Sequence, residues 1–207
     1  MESGVYAAGE DKSTTADWGR NRFMPTNFAF LGDGDFFVAD GYGSFFIHRY
    51  DKDGNWKSHF GGPGEANGKF DTPHGIWIDA RPGQDPRIVV ADRAHHKLQF
   101  FSLDGDYLET IAGFGLPANL DTYQELLLVP ELHARISILD QKNQAVTRLG
   151  DDVARITGPG GDQIRNDSKR WQQGKFVHPH DACFDQEGNI FVAEWVNTGR
   201  VSRLRRR

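Results

Sequence analysis

FDTPHGIWIDARPGQDPRIVVADRAHHKLQFFSLDG, from Phe70 to Gly105, holds a Pro-His pair, a short apolar run ending in acid, a second apolar run and a turn. The same order recurs as FMPTNFAFLGDGDFFVADGYGSFFIHRYDKDG from Phe23 and as FVHPHDACFDQEGNIFVAEWVNTGRVSRLRR from Phe176. A more worn copy, LPANLDTYQELLLVPELHARISILDQKN, starts at Leu116. Internal repeats of this period belong to solenoids or propellers. The copies differ at one register: Pro73-His74 and Pro179-His180 stand where the others have Pro25-Thr26 and Pro117-Ala118.

Each copy reads as strands. FFVAD, IVVAD and IFVAE are rich in Val, Ile and Phe, and FFIHRY, KLQFFS, RISIL and RVSRL follow them. Asp53-Gly54, Asp104-Gly105 and Lys142-Asn143 mark turns, after which runs such as NWKSHFG and DYLETIAG begin. With the opening run near the proline, that makes about four antiparallel strands in roughly 40–50 residues, the unit of a propeller blade. No stretch shows a 3.6-residue apolar period, so helix is expected to be minor. The predicted class is all-β, a β-propeller with about four blades in residues 23–207, preceded by a strand or loop in residues 1–22.

Composition fits that class. Gly makes up 24 of 207 residues and aromatics 12%, as suits a turn-rich chain, and the length suits one domain. A net charge of −5 argues against nucleic acid as a general partner. The one basic cluster, Arg203, Arg205, Arg206 and Arg207, reads as a solvated tail. Cys183 is the lone cysteine, which excludes an internal disulfide; its apolar strand predicts a packed, inert thiol. No apolar run is long enough to span a bilayer, so no membrane partner is expected, and Glu2-Ser3-Gly4 is not a signal-peptide core. Residues 151–175 break the rhythm, being polar and Gly-rich without a strand pattern. They read as a mobile surface loop, with a functional lid as the alternative because they lead into His178-Pro179-His180-Asp181.

In a propeller the first strand of each blade lines the central channel, so Thr26, His74, Ala118 and His180 form a ring of positions. Two imidazoles converging from different blades suit zinc, which takes about three protein ligands at a catalytic site. Pro73 and Pro179 stiffen the approach to each histidine. A histidine there can equally hydrogen-bond across the channel. His178 shares its side of the strand with His180 and is a substitute ligand. His95 and His96 read as surface turn residues and His133 as structural. Asp40 and Asp92 read as turn-formers that accept backbone amides. Tyr42 and Arg93, which follow them, make a pair in which the arginine holds a substrate oxygen and supports the tyrosine as general base. Trp195 stands at the corresponding place in the last copy, to stack on substrate or cover the blade edge.

The repeats resemble NHL repeats, and residues 23–207 look like the C-terminal part of a six-bladed propeller of the peptidyl-α-hydroxyglycine α-amidating lyase family. The resemblance rests on F-x-P-T at Phe23 to Thr26, V-A-D-G-Y at Val38 to Tyr42, G-K-F-x-x-P-H at Gly68 to His74, V-A-D-R at Val90 to Arg93, and P-H-D at Pro179 to Asp181. It departs from the repeat pattern at Phe45 and Phe46, where a polar residue and an arginine are usual. The resemblance implies a zinc-dependent lyase that cleaves the C–N bond of a carbinolamide in a small peptide or small-molecule substrate at the channel. It implies His74 and His180 as zinc ligands, Tyr42 and Arg93 as catalytic residues, and Asp181 as a ligand of structural calcium. The family's remaining zinc histidine lies in blades upstream of the matched region, so the chain looks N-terminally truncated; family relatives are often secreted or periplasmic. The alternative function is a non-catalytic propeller that binds a ligand or protein.

Closure has two expectations. Residues 3–9 lend a strand to the last repeat, which ends without its outermost strand, and complete a four-bladed ring. Otherwise the chain is an open arc of a six-bladed parent and self-associates through exposed inter-blade surface.

Overall fold

The computed structural model describes residues 23–207. Its sheets are antiparallel and in up-and-down order, the blades of a β-propeller. Blade 1 comprises β1 (Asn27–Phe30), β2 (Phe36–Ala39), β3 (Phe46–Tyr50) and β4 (Trp56–Gly61). Blade 2 comprises β5 (Pro73–Asp79), β6 (Arg87–Asp92), β7 (Lys97–Phe101) and β8 (Tyr107–Ala112). Blade 3 comprises β9 (Asp121–Tyr123), β10 (Leu126–Glu131), β11 (Arg135–Leu139) and β12 (Ala145–Leu149). Blade 4 has three strands among the described residues, β13 (Pro179–Phe184), β14 (Ile190–Glu194) and β15 (Arg200–Leu204), as the sequence predicts for the last repeat. Residues 3–9, invoked for closure, lie outside the described residues.

The chain divides into two compact units. Unit 1 carries blades 1 and 2; unit 2 carries residues 81–84 and blades 3 and 4. Inside unit 1 the two blades share a core of Phe37, Ile47, Phe70, Ile76, Ile88, Val90 and Phe101, each at most 1% exposed. Inside unit 2, Leu128, Ile136, Phe176, Ala182, Ile190 and Val192 do the same for blades 3 and 4. Alternation along each strand supplies these side chains to one face.

The hairpins reuse one local device. Asp51 Oδ1 accepts the amides of Asp53 and Asn55, and Asp140 Oδ1 those of Lys142 and Gln144. Asp185 Oδ1 accepts those of Glu187 and Asn189, and Ser102 Oγ those of Asp104 and Asp106. Such side-chain turns leave the residue two before the next strand at positive φ, which Gly54, Gly105 and Asn143 adopt at 85°, 93° and 59°.

A second device closes each blade. The acid ending its second strand accepts a backbone amide from the segment leading into the first. Asp40 takes Met24 N at 2.5 Å, Asp92 takes Asp71 N at 2.9 Å, Glu194 takes Val177 N at 2.7 Å, and Glu131 takes Gly115 N. Asp40, Asp92 and Glu131 are fully buried. This is the amide-accepting role expected of Asp40 and Asp92, extended to a long-range tie.

Three expectations are corrected here. Residues 151–175 do not form a structureless mobile loop. They contain α1 (Val153–Ile156) and two 3-10 turns, Ile164–Asn166 and Ser168–Arg170. Ile156, Ile164 and Trp171 from this segment pack with Ala134, Val177 and Val196 in a small core, and Trp171 Nε1 donates to Ile164 O at 2.9 Å. Cys183 is exposed, because Ala182 takes the core side of β13 and its neighbours face away. The basic cluster is not wholly a solvated tail: Arg203 belongs to β15, and Arg206 donates to the Tyr123 hydroxyl at 3.2 Å.

Candidate functional site

Tyr42 and Arg93 occupy the same register in adjacent blades of unit 1, just beyond the closing acids Asp40 and Asp92. The tie through Asp40, together with a bond from Tyr42 N to Met24 O at 3.1 Å, fixes the first loop. Gly41 allows the close approach: a Cβ there would meet Pro73 O at 2.2 Å and Thr26 Oγ1 at 2.6 Å. Thr26 Oγ1 itself donates to Pro73 O at 3.0 Å, joining the lead-in segments of the two blades.

Arg93 is held by its amide, which donates to Thr72 O at 3.1 Å. Thr72 has φ of 58°, an unfavourable conformation for a β-branched residue. Strain of this kind costs on the order of 1–3 kcal/mol and persists only where surrounding structure enforces it. Here it shapes the chain immediately before Pro73-His74.

Within unit 1, Arg93 Nη1 donates to the Tyr42 hydroxyl at 2.9 Å. The side chain is 93% buried, and its Nε and Nη2 are buried without a hydrogen-bond partner. Burial pulls the guanidinium below the usual arginine range, and the neighbouring Tyr42 opposes that pull. The His74 ring lies edge-on to Tyr42, centroids 5.5 Å apart. The three side chains thus form one group: a phenol oxygen, a cation with two unused donors, and an imidazole.

His74 and His180 share a backbone feature. The β5–β6 register slips between Pro73 and Gly75, and the β13–β14 register slips between Pro179 and Asp181. Each histidine is the extra residue of a β-bulge, the kind of irregularity that re-aims a side chain. His74 is buried in unit 1, while His180 is half-buried in unit 2. Asp181 is exposed and accepts from Asn119 Nδ2 at 2.6 Å. Among the described residues no three His, Cys, Asp or Glu side chains gather to hold a metal ion. The donor set of each unit taken alone therefore does not fit a zinc centre of three protein ligands.

The remaining histidines depart from expectation. His95 is not a surface residue: its side chain is 10% exposed and its Nδ1 lies 2.8 Å from Asp92 Oδ2. The buried acid draws it in, and Glu65 meets its other nitrogen at 3.1 Å. His178 Nδ1 lies 2.6 Å from Leu132 O. Because a carbonyl only accepts, Nδ1 carries the proton. Burial, assisted by Arg165, lowers the affinity of His178 for a second proton, while Leu132 and Glu194 act in the opposite sense.

Trp195, at the register of Tyr42 and Arg93, is 53% exposed. Its ring is covered on one face by the Arg165 guanidinium, 3.2 Å from the ring centroid. Sequence reasoning missed Arg165. It lies in the segment that departs from the repeat, so no register marks it.

No protein-family model matches the chain, and no curated protein matches its sequence. Solved structures do. A Bacteroides caccae protein of unknown function superposes with a TM-score of 0.56 at 15% identity, covering 85% of this chain and 58% of that one. The virginiamycin B lyase of Staphylococcus aureus gives 0.55 at 12%, covering 86% and 54%. A streptogramin B lyase gives 0.55 at 13%, covering 86% and 65%. The chain has the β-propeller fold, and lyases are among its structural relatives. At these identities the likeness concerns fold alone. The chain spans less than two thirds of the length of each of the three.

Proposed function

We propose that this chain is a lyase that breaks the C–N bond of a carbinolamide of the peptidyl-α-hydroxyglycine class, with Tyr42 as base and Arg93 as the group that holds the substrate oxygen. The observation that carries this reading is Arg93, which gives one N–H to Tyr42 at 2.9 Å and keeps two buried N–H groups unused. A buried arginine with spare donors suits a carboxylate or developing carbonyl oxygen. Lyase-named structural relatives are consistent with the reaction class, and the motif resemblance to amidating lyases supplies the substrate class.

In the reaction Tyr42, as phenolate, takes the proton of the carbinol hydroxyl. The oxygen's electron pair forms the aldehyde C=O as the C–N bond breaks. The departing nitrogen takes the proton back from Tyr42, so one carbinolamide yields one primary amide and one aldehyde. Arg93 balances the charge on Tyr42 and then the charge on the substrate oxygen. Zinc held by His74 and His180 belongs to the same proposal only as a separate expectation, since neither unit alone supplies three donors. No step above is routed through a metal.

The test is turnover of α-hydroxyhippurate to benzamide and glyoxylate. Tyr42→Phe and Arg93→Gln are each expected to lower kcat/KM by at least about 100-fold, with the thermal midpoint little changed. Turnover surviving both changes would overturn the assignment. Binding of the substrate without turnover by the unmodified protein would favour the non-catalytic alternative. Elemental analysis tests the metal independently: stoichiometric zinc should be lost in His74→Ala and in His180→Ala.

A further inference from the structure

Unit 2 carries a cavity of ≈ 520 Å³ that the proposed reaction does not use. Its apolar wall includes Leu116, Leu132, Ile156 and the Trp195 ring, and its polar groups include Arg165, His178, Thr157 and Asp162. That combination, mostly apolar with a few converging polar groups, is the usual form of a small-molecule site.

Arg165 is its most informative residue. The segment at 151–175 is packed so as to present it: Ile164 is buried beside it, and Asn197 N donates to Arg165 O at 3.0 Å. The guanidinium lies over the Trp195 ring, and its Nε is buried without a hydrogen-bond partner. No carboxylate pairs with it among the described residues. Stacking holds the guanidinium plane and leaves its edge N–H groups for a ligand. His178, with Nδ1 donating to Leu132 O, keeps its other ring nitrogen as an acceptor while the ring is neutral. Asp162 also lines the cavity, its Oδ2 accepting from Gln163 Nε2 at 2.6 Å. The Asp162 carboxylate on that wall disfavours ligands with more than one negative charge.

We propose that this cavity binds a small monocarboxylate with an apolar or aromatic body, the carboxylate on Arg165 and the body against Trp195, Leu132 and Ile156. The carboxylate has two sources, a free organic acid or the C-terminus of a short peptide. All of its residues belong to unit 2, and none of them has a part in the Tyr42–Arg93 reaction.

The probes are 3-phenylpropionate, its neutral amide, and a phenylalanine-terminated pentapeptide with free or amidated C-terminus. Titration calorimetry and tryptophan fluorescence excited at the red edge read binding to the full chain. 3-Phenylpropionate should bind and perturb the fluorescence, and the amide should bind at least about tenfold more weakly, a difference of 1.4 kcal/mol. Arg165→Gln should cost a similar factor for the acid and nothing for the amide, and Arg165→Lys should restore part of it. Trp195→Phe should abolish the fluorescence change. Tighter binding of the free-carboxylate peptide than of 3-phenylpropionate assigns the peptide source; the reverse order assigns the free acid. Equal affinity for acid and amide, no effect of Arg165→Gln, or no binding at millimolar concentration would each overturn the proposal. None of these results depends on turnover of α-hydroxyhippurate.

Discussion

His48 is 1% exposed in β3, and Trp56 Nε1 donates to its Nδ1 at 3.3 Å. Burial, aided by His59, pulls its pKa from 6.5 to about 4. In the unfolded chain it titrates near its ordinary value of about 6.5. Between those values the unfolded state binds the extra proton, so stability should fall as pH drops from about 6.5 towards 4 and level off below. Denaturant titrations across that range should show the slope, and His48→Gln, which keeps an acceptor for Trp56, should reduce it by up to about one proton. Gly41 makes a second residue-level prediction. Gly41→Ala should displace Tyr42, lowering turnover and the thermal midpoint together, because its Cβ meets the Pro73 carbonyl. The register of Tyr42, Arg93, His74 and His180 was readable from the repeats. The bulges at both histidines were not, since each falls at the second residue of its strand, where too few residues precede it for a break in alternation to show. Nor was the positive φ at Thr72, a residue type that does not advertise it.

The strands and hairpins followed the sequence closely because each carries its own instructions: a β-branched or aromatic run, then an Asp or Ser that folds the turn back on itself. The acids at the strand ends were recognised as amide acceptors, but how far they reach along the chain was not visible. Glu131 shows what such an acid does for a blade. It accepts from Gly115 N, from Ser137 Oγ at 2.5 Å and from Arg135 Nε at 2.9 Å, and it is fully buried. Glu131→Ala would strand a buried amide and an arginine together, and should cost about 3 kcal/mol in chemical denaturation. Its effect should appear as faster amide exchange in residues 115–118 and β11. The segment at 151–175 was misread for the opposite reason. Its buried residues, Ile156, Ile164 and Trp171, have no regular spacing, so their shared core emerges only when the turns are formed.

For the whole molecule, the sequence conveyed the class and the number of sheets, and the structure adds two compact units, each with a core of its own. Blade 1 also presents Phe28 and Phe30, 59% and 61% exposed, beside an apolar groove of ≈ 460 Å³. A cluster of that kind favours association. Sedimentation velocity should show concentration-dependent self-association, and the double change Phe28→Ser and Phe30→Ser should shift the protein towards monomer. The bulged histidines carry a last consequence. Because His74 and His180 stand outside the pairing ladder, a change of side chain at either position leaves the ladder's own backbone hydrogen bonds in place. The repeats already hold Thr, His, Ala and His at that one register. One address in the repeat therefore presents different side chains, while the antiparallel order of the strands that follow it is the same from blade to blade.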